Sequence, residues 1–364
     1  MKIYQINIKF ISPVHIGCGI KLDPISYVVK DHYFYRINLE KFVSSLDSSL
    51  REKLVSIIDA NNLLKLRKFI AEFSNITQYS IYKVKATKNF EYCYFQKLND
   101  LRNQLFVDSF IRSAEGIAYL PGSSIKGSIR TAVLNYFLNR DFLSKNVKVE
   151  DSLKRRIGDR RISKDDLAKE TEAEILRFRI KNFGSDPLRA LRISDAFIRD
   201  NRYLLVAQII NRRFNNKEGR QKFWQQFCEL TSCTVIDEGN NKVNDIISSL
   251  TIDDDLIKKA DFKTKLSMSI IANACNYFYK KIANYERERF YIKSTDSRLD
   301  KLFSEINNTS ENEFILRMGR FSHFESLTLE DFESLKRRGF GKSRNMAEGV
   351  LPLGWTKVVY KEVG

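Results

Sequence analysis

The chain has 364 residues, of which 43% are hydrophobic and 29% are charged, so it is long enough and apolar enough to bury one or two cores. Its 15 Gly, 5 Pro and 5 scattered Cys exclude collagen, a disordered low-complexity chain and a small disulfide scaffold. The 62 Lys and Arg against 45 Asp and Glu give a formal net charge of +17, which suggests a polyanionic partner, either nucleic acid or an anionic membrane surface.

Hydrophobic periodicity predicts strands and helices of unequal length. A first strand is predicted at 4–10, because the apolar residues Tyr4, Ile6, Ile8 and Phe10 share one face. After a loop at 12–19, the patterns predict a hairpin at 27–35 and two helices within 39–73 that separate at Asn61-Asn62. Strands follow at 81–86, 106–111, 117–120, 191–198 and 203–210. The rest of the chain is predicted to form helices at 222–230 and 255–289 and a C-terminal strand-and-loop portion with a last strand at 355–360. Strands in two groups, mixed with unequal helices, indicate an α+β fold.

The N-terminus and the cysteines bear on where the protein acts. The first residues alternate between polar and apolar and lack the apolar block of a signal peptide. No apolar run reaches the roughly 18–20 residues that a membrane span requires. The Cys residues form no CxxC pair, and the ligand-like spacing of His15 and Cys18 is not followed by a second pair. We therefore expect a cytoplasmic protein with reduced thiols, no metal site and no cofactor.

The segment that carries the most chemistry begins at Leu120-Pro121-Gly122. Downstream of this turn, apolar residues recur at helical spacing: Ile125, Ile129, Ala132, Val133, Tyr136 and Phe137. A helix that begins here has free backbone N–H groups and the positive end of its dipole at its N-terminus, and together these form an anion site. We expect Ser123 or Ser124 to cap the helix by accepting a hydrogen bond from a first-turn N–H.

Two cations and two glycines extend this prediction. Lys126 and Arg130 are four residues apart, so they share one side of the helix near its N-terminus. Gly122 and Gly127 have no side chain that would hold a phosphate backbone at a distance. The segment therefore predicts a phosphate-binding helix. An ordinary capped helix with two solvated cations fits the same spacing.

A second basic region lies between residues 175 and 213. It holds nine basic residues against three Asp: Arg177, Arg179, Lys181, Arg189, Arg192, Arg199, Arg202, Arg212 and Arg213. Guanidinium groups stack on bases and bind phosphates bidentately. The interleaved aromatic residues, which can stack on unpaired bases, are Phe178, Phe183, Phe197 and Tyr203. The alternative is a solvated basic face with core aromatics. Asp195 has no neighbouring carboxylate, which favours a structural hydrogen bond over a metal ion.

Three motifs resemble those of a known family. The run Pro121-Gly122-Ser123-Ser124-Ile125-Lys126-Gly127, followed by Arg130, resembles the signature of the RAMP superfamily, the RNA-binding proteins of CRISPR effector complexes. Residues 12–19 resemble the opening motif of the same family. The C-terminal runs at 316–322, 341–344 and 352–355 resemble the terminal RAMP subunit of the type III-A Csm complex.

This resemblance implies a fold and a function. The fold is a ferredoxin-like, RRM-type RAMP core with large helical insertions and a C-terminal α+β portion. The core would consist of residues 1–140 and 190–215, and a charged insertion would occupy 141–189. A helical and strand/loop portion at 216–364 would complete the fold. The function is that of a non-catalytic subunit that binds guide RNA (crRNA), caps its 3′ end, and supports guide maturation and complex assembly.

The resemblance also implies partners and site residues. The partners are guide RNA, with target RNA as a further candidate, the neighbouring RAMP backbone subunit and the small helical subunit of the Csm complex, and no membrane. The predicted RNA-binding residues are His15, Gly17, Gly122, Ser123, Ser124, Lys126, Gly127, Arg130, Arg192, Gly319, Arg320, Lys342 and Arg344.

Two other functions stay open on the sequence alone. In some RAMP endonucleases a loop histidine acts as general base on the ribose 2′-OH, which makes His15 the candidate in a metal-independent endoribonuclease that processes guide RNA. Acid–base cleavage also requires a second positioned group, and the sequence shows no partner for His15. The third candidate is a basic assembly protein whose charge contacts partner subunits or a membrane surface.

Overall fold

The computed structural model describes residues 1–100, 105–138, 169, 172, 173, 175, 176, 186–213, 224–233, 246–259, 266–292, 294–322 and 343–364. Several residues that the sequence analysis singled out lie outside these described residues: Arg177, Phe178, Arg179, Lys181, Phe183, Lys342 and most of the predicted insertion.

Strands and helices follow one another irregularly along the chain. The strands are β1 (Lys2–Phe10), β2 (Gly17–Leu22), β3 (Tyr27–Lys30), β4 (Tyr33–Ile37), β5 (Ser80–Ala86), β6 (Val107–Phe110), β7 (Ala118–Leu120), β8 (Leu191–Ile193), β9 (Ala196–Ile198), β10 (Leu204–Arg213), β11 (Trp224–Thr231), β12 (Ile246–Ile252), β13 (Glu313–Arg317), β14 (Ser343–Ala347) and β15 (Trp355–Glu362). The helices are α1 (Leu39–Ser45), α2 (Ser48–Asp59), α3 (Leu63–Ala71), α4 (Lys88–Lys97), α5 (Gly122–Phe137), α6 (Asp254–Lys259), α7 (Met268–Glu286) and α8 (Ser297–Asn307), and a π-helical turn at Arg287–Tyr291 continues α7. This mixture confirms the predicted α+β class.

The first strand lies in the middle of a five-stranded antiparallel sheet of order β13-β15-β1-β12-β8. Its predicted apolar face is buried, as the alternation required. Taken in chain order, β1, α5, β8, β12, α7 and β15 form the βαββαβ arrangement of a ferredoxin-like unit. Helices α5 and α7 pack against each other, and the Tyr279 hydroxyl donates to the Ser128 carbonyl at 3.0 Å. The ferredoxin-like expectation is confirmed.

A second sheet of eight strands carries the rest of the β structure. Its order is β2-β6-β11-β10-β5-β4-β3, and β14 pairs with the far end of β10. The strands β7 and β9 form a separate two-stranded ribbon. Both large sheets combine strands from residues 1–140 with strands beyond residue 216, so the C-terminal portion is an integral part of each sheet.

The predicted pair of helices within 39–73 is a group of three. The Asp47 carboxylate accepts from the Leu50 N–H at 2.8 Å and starts α2, so the first predicted helix is divided there. Asn62 caps α3 in the same way through the Lys65 N–H at 3.0 Å, which confirms the predicted break at Asn61-Asn62. These helices share a small apolar cluster with β3 and β4.

Other predicted elements were wrong. Within the helix predicted at 222–230, the described residues 224–230 lie in the strand β11. This strand lies between β6 and β10, with Phe227, Cys228 and Leu230 buried. Trp224, Phe227 and Cys228 are spaced i, i+3 and i+4, which is also the spacing of apolar residues on one face of a helix. The predicted strand at 191–198 is two strands in different sheets, and the C-terminal portion contains the helix α8. The sequence patterns also missed α4 and β12.

The described residues contain neither a membrane-spanning helix nor a cluster of metal-binding side chains. None of the helices in this part of the chain is long and apolar enough to cross a membrane. Within the same residues, no group of three or more His, Cys, Asp or Glu side chains is arranged to hold a metal ion.

Candidate functional site

Three segments that are far apart in the sequence meet at an open groove of about 600 Å³. They are the opening loop with β2, the first turns of α5, and the loop after β13, and each carries one of the motifs described above. The lining residues are Ile16, Gly17, Gly19, Lys21, Asp108, Ser124, Gly127, Ser128, Thr131, Tyr279, Arg317, Met318, Gly319, Arg320 and Ser322. The groove therefore brings together Gly17, Ser124, Gly127, Gly319 and Arg320 from the predicted site.

One wall of the groove is a helix face without bulky side chains. Ser124, Gly127, Ser128 and Thr131 are spaced i, i+3, i+4 and i+7 along α5, so they lie on one face. A Cβ atom built on Gly127 would meet no atom within 4 Å, so this position is open to the groove. A sugar–phosphate backbone can approach such a face closely.

The opposite wall is built from loops that touch through their backbones. The Arg320 N–H donates to the His15 carbonyl at 3.0 Å, and the Met318 N–H donates to the Gly354 carbonyl at 2.9 Å. Between them, Gly319 has φ +90°, and a Cβ atom there would lie 2.4 Å from the His15 oxygen. Glycine is thus required at 319 by the contact between the two loops, which fixes the position of Arg320.

Two cations stand at the rim of the groove. The Arg320 guanidinium pairs with the Asp108 carboxylate at 2.7 Å, yet its side chain stays 46% exposed and accessible to a ligand. Lys21 is exposed on β2 and forms no ion pair with any residue that the structure describes. Only Arg320 was singled out from the sequence. Lys21 comes two residues after Gly19 of the opening motif, and this adjacency was the available signal.

The N-terminus of α5 differs from the prediction. Neither Ser123 nor Ser124 caps the helix; its N-cap is Pro121, without a side-chain hydrogen bond. The carboxylate of Asp195 accepts from the Gly122 N–H at 2.7 Å, so an internal anion already occupies the position predicted for a phosphate. A Cβ atom on Gly122 would lie 2.1 Å from the Ile193 carbonyl oxygen, and glycine is therefore required there by packing. The structural hydrogen bond expected of Asp195 is confirmed.

Lys126 and Arg130, the two cations of α5, are not freely solvated, although the alternative interpretation of the sequence had them so. The Lys126 ammonium donates to the Leu191 carbonyl at 2.7 Å, and burial lowers its pKa from the usual value. Arg130 pairs with Glu172 at 2.6 Å and with Asp186 at 3.0 Å. Both side chains tie the helix to neighbouring segments of the chain, and their contact with RNA stays a prediction.

His15 and Arg344, two further members of the predicted set, have buried side chains. The His15 ring is 2% exposed and lies near the rings of Phe110 and Phe321. Its Nδ1 donates to the Glu229 carbonyl at 2.7 Å, and burial lowers the pKa of the imidazole, which is neutral at pH 7. Each side chain is held inside the core rather than at the surface, and a contact of either residue with RNA stays a prediction.

Arg344 belongs to a buried ionic cluster behind the groove. The Glu286 carboxylate accepts from the Arg344 guanidinium at 3.1 Å and from the Arg317 guanidinium at 3.0 Å. Arg317 ends β13, directly before the loop that carries Gly319, and Arg344 lies on β14. The cluster therefore connects α7 to two strands next to the groove. Arg192 is different: its side chain is exposed on β8 and pairs with Asp253 at 3.0 Å.

The chain is similar in sequence to several known proteins. A family model described as "RAMP superfamily" matches residues 7–342. The CRISPR system Cms protein Csm5 of Methanocaldococcus jannaschii is 25% identical over 318 residues, which cover 83% of this chain and 68% of that protein. The protein of the same name from Streptococcus thermophilus is 26% identical over 141 residues, which cover 36% of this chain and 38% of that protein.

Two solved structures share its fold. One is a chain of a Csm–crRNA–target RNA ternary complex of a type III-A CRISPR-Cas system, with a TM-score of 0.66, 18% identity, and coverage of 99% of this chain and 100% of that chain. The other is Csm5 of T. onnurineus, with a TM-score of 0.64, 18% identity, and coverage of 98% and 99%. The similarity extends over the whole fold.

Proposed function

Since the chain belongs to the RAMP superfamily, we propose that it is a guide-RNA-binding subunit of a type III-A Csm complex. The observation that carries the proposal is the groove, where three motifs from distant parts of the sequence meet. The likeness to Csm5 proteins supports the assignment to this complex. The position that caps the 3′ end of the guide is the one that the resemblance of the C-terminal motifs implies. Guide RNA, target RNA and the neighbouring RAMP and small helical subunits are its partners.

The groove binds the sugar–phosphate backbone rather than the bases. The open face at Gly127 admits the backbone, while Lys21 and Arg320 neutralise its phosphates. Phosphate contacts fix the position of a nucleic acid without reading its sequence. A guide-binding subunit must accept guides of many sequences, and this mode of binding allows it to do so.

The role that we propose is non-catalytic. His15, the candidate general base, is neutral, but its ring is 2% exposed, so the Nε2 atom that would accept a proton is enclosed in the protein. A general base must lie within hydrogen-bond reach of the proton that it removes. The position of His15 therefore supports a structural role for this loop and argues against the endoribonuclease candidate.

Salt dependence of RNA binding tests the proposal. Each neutralised phosphate of a single strand adds about −0.7 to the slope of log K against log salt. We expect the double variant Lys21→Ala, Arg320→Gln to reduce the magnitude of this slope by about 1.4, because two phosphate contacts are lost. The measurement is a fluorescence-anisotropy titration of unstructured RNA at several salt concentrations.

The double variant Lys41→Ala, Lys65→Ala is the matched control, because it removes the same charge from exposed positions on α1 and α3. An equal fall in slope for both double variants would show that the net charge, and not the groove, binds RNA. Absence of RNA binding by the unmodified protein would overturn the proposed function.

Gly127→Leu separates RNA binding from folding. Leucine is a better helix former than glycine, by somewhat less than the roughly 0.8–1 kcal/mol that separates glycine from alanine. The open space at this position accepts its side chain, so the free energy of unfolding should not fall. The same side chain fills the approach to the groove wall. We expect RNA affinity to fall at least about tenfold, the equivalent of one charge-assisted hydrogen bond. Gly127→Ala, which changes the helix propensity but adds little bulk, is the control and should retain most of the affinity.

A further inference from the structure

The two-stranded ribbon of β7 and β9 presents an aromatic pair on its outer face. Tyr119 and Phe197 are directly opposite each other in the antiparallel register. Their strand neighbours all point inward and are at most 1% exposed: Ala118, Leu120, Ala196 and Ile198. Since side chains alternate along a strand, the two rings lie together on the face that the core does not cover.

The geometry of the pair forms a platform. The ring centroids are 5.6 Å apart with an interplanar angle of 34°, and the Phe197 side chain is 39% exposed. Arg199, two residues further along, has its guanidinium 5.8 Å from the centre of the Phe197 ring. Within the described part of the chain, Arg199 forms no ion pair and the Tyr119 hydroxyl has no hydrogen-bond partner. We refer to Tyr119, Phe197 and Arg199 as the ribbon platform.

The ribbon platform is attached rigidly to the helix that lines the groove. β7 ends at Leu120 and continues through Pro121 into α5. Asp195, immediately before β9, holds the first N–H of α5 at 2.7 Å. Both strands of the ribbon are therefore fixed to the N-terminal turn of α5, the helix whose Ser124, Gly127, Ser128 and Thr131 line the groove.

We propose that the ribbon platform stacks an unpaired nucleobase of the bound RNA, with Arg199 contacting the base or its phosphate. This inference rests on the proposed function and adds a base-stacking site outside the groove. Two adjacent rings and an unpaired guanidinium match the flat face and the negative backbone of single-stranded RNA. The excess of basic residues, +17 over the chain, favours this anionic partner over an apolar protein segment.

Stacking of this kind tolerates any base, because every base has a π-face. The ribbon platform thus strengthens binding without imposing a sequence on the guide. It also places a base at a fixed point relative to α5, whereas the groove alone holds the backbone.

The test uses the full-length protein and a single-stranded RNA that carries 2-aminopurine at successive positions. Stacking on the ribbon platform should quench the fluorescence of 2-aminopurine at one position of the bound RNA. Phe197→Ala should abolish this quenching and weaken affinity about 5- to 150-fold, the range for loss of one base–aromatic stack. Phe197→Trp should retain both the quenching and the RNA affinity, because it keeps an aromatic ring at the same position.

Phe95→Ala is the matched control, since Phe95 is a 55% exposed phenylalanine on α4, away from the groove and the ribbon. It should leave affinity and quenching unchanged. If Phe197→Ala matches this control while the unmodified protein binds RNA, the ribbon platform is overturned and the proposed function stands. If Phe197→Ala lowers the melting temperature of the protein, the variants Phe197→Trp and Arg199→Gln test the inference instead. Loss of 2-aminopurine quenching in Phe197→Trp contradicts it, and so does an unchanged RNA affinity in Arg199→Gln.

Discussion

Glu286→Gln is expected to lower the free energy of unfolding by roughly 3–5 kcal/mol, the usual result of removing one partner from a buried ion pair. Glu286 accepts from two buried guanidinium groups, those of Arg317 and Arg344. Without the carboxylate, two buried guanidinium groups lose the anion that both of them contact. The cluster also joins α7 to β13 and β14, so its loss should loosen the loop that carries Arg320 and weaken RNA binding. Chemical denaturation and an RNA titration measure the two effects.

The control for this variant is Glu288→Gln, which removes the same charge from an exposed side chain two residues away. Its effect should stay within about 0.5 kcal/mol, as for most surface substitutions. Adding Arg344→Met to Glu286→Gln removes one of the two buried guanidinium groups that contacted the carboxylate and should restore part of the stability. A loss below about 1 kcal/mol in Glu286→Gln would mean that the guanidinium groups do not depend on this carboxylate.

Local patterns in the sequence predicted much of the secondary structure and one important wall of the site. The alternation of Tyr4, Ile6, Ile8 and Phe10 identified β1, and the helical spacing after Gly122 identified α5. Such patterns are local because side-chain direction is set by the backbone geometry of a few residues. The same reasoning failed for β11, where burial on both faces removes the alternation.

The parts of the site that the sequence could not predict depend on contacts between distant residues. Lys126 and Arg130 have the spacing of a phosphate-binding pair, but Leu191, Glu172 and Asp186 engage them within the protein. No spacing rule within α5 reveals these partners, because they come from segments more than 40 residues away.

Arg344 shows the same limit more strongly. The resemblance of the motif at 341–344 placed it with the RNA-binding residues, whereas a carboxylate 58 residues earlier, Glu286, holds it in the core. Glycines were informative in a different way. Gly17, Gly127 and Gly319 were all assigned to RNA, yet only the second lies in open space, while a Cβ atom on Gly17 would lie 2.8 Å from the His15 ring. The sequence located the groove through its motifs but could not tell which residues bind and which hold the loops together.

Gly319→Ala should be among the most damaging substitutions in the groove. The residue has φ +90°, where an alanine is disfavoured by roughly 1–2 kcal/mol. In addition, its Cβ atom would lie 2.4 Å from the His15 carbonyl oxygen, and relief of that overlap costs about 1–3 kcal/mol more. The loop must move away from His15, which breaks the hydrogen bond from the Arg320 N–H and displaces the Arg320 guanidinium from the rim. We expect RNA affinity to fall by about tenfold or more, since a charge-assisted contact is lost.

Gly116→Ala separates the two causes of this loss. Gly116 has φ +79°, so alanine there suffers the same backbone penalty, but its Cβ atom would meet nothing within 4 Å. Gly116 also lies outside the groove lining, so the variant should lose about 1–2 kcal/mol of stability and keep its RNA affinity. If the two variants lose equal stability and both bind RNA normally, the contact between the Gly319 loop and the opening loop does not hold Arg320 in place. If the contact between the two loops requires glycine, Gly319→Ala should lose more stability than Gly116→Ala and should also bind RNA more weakly.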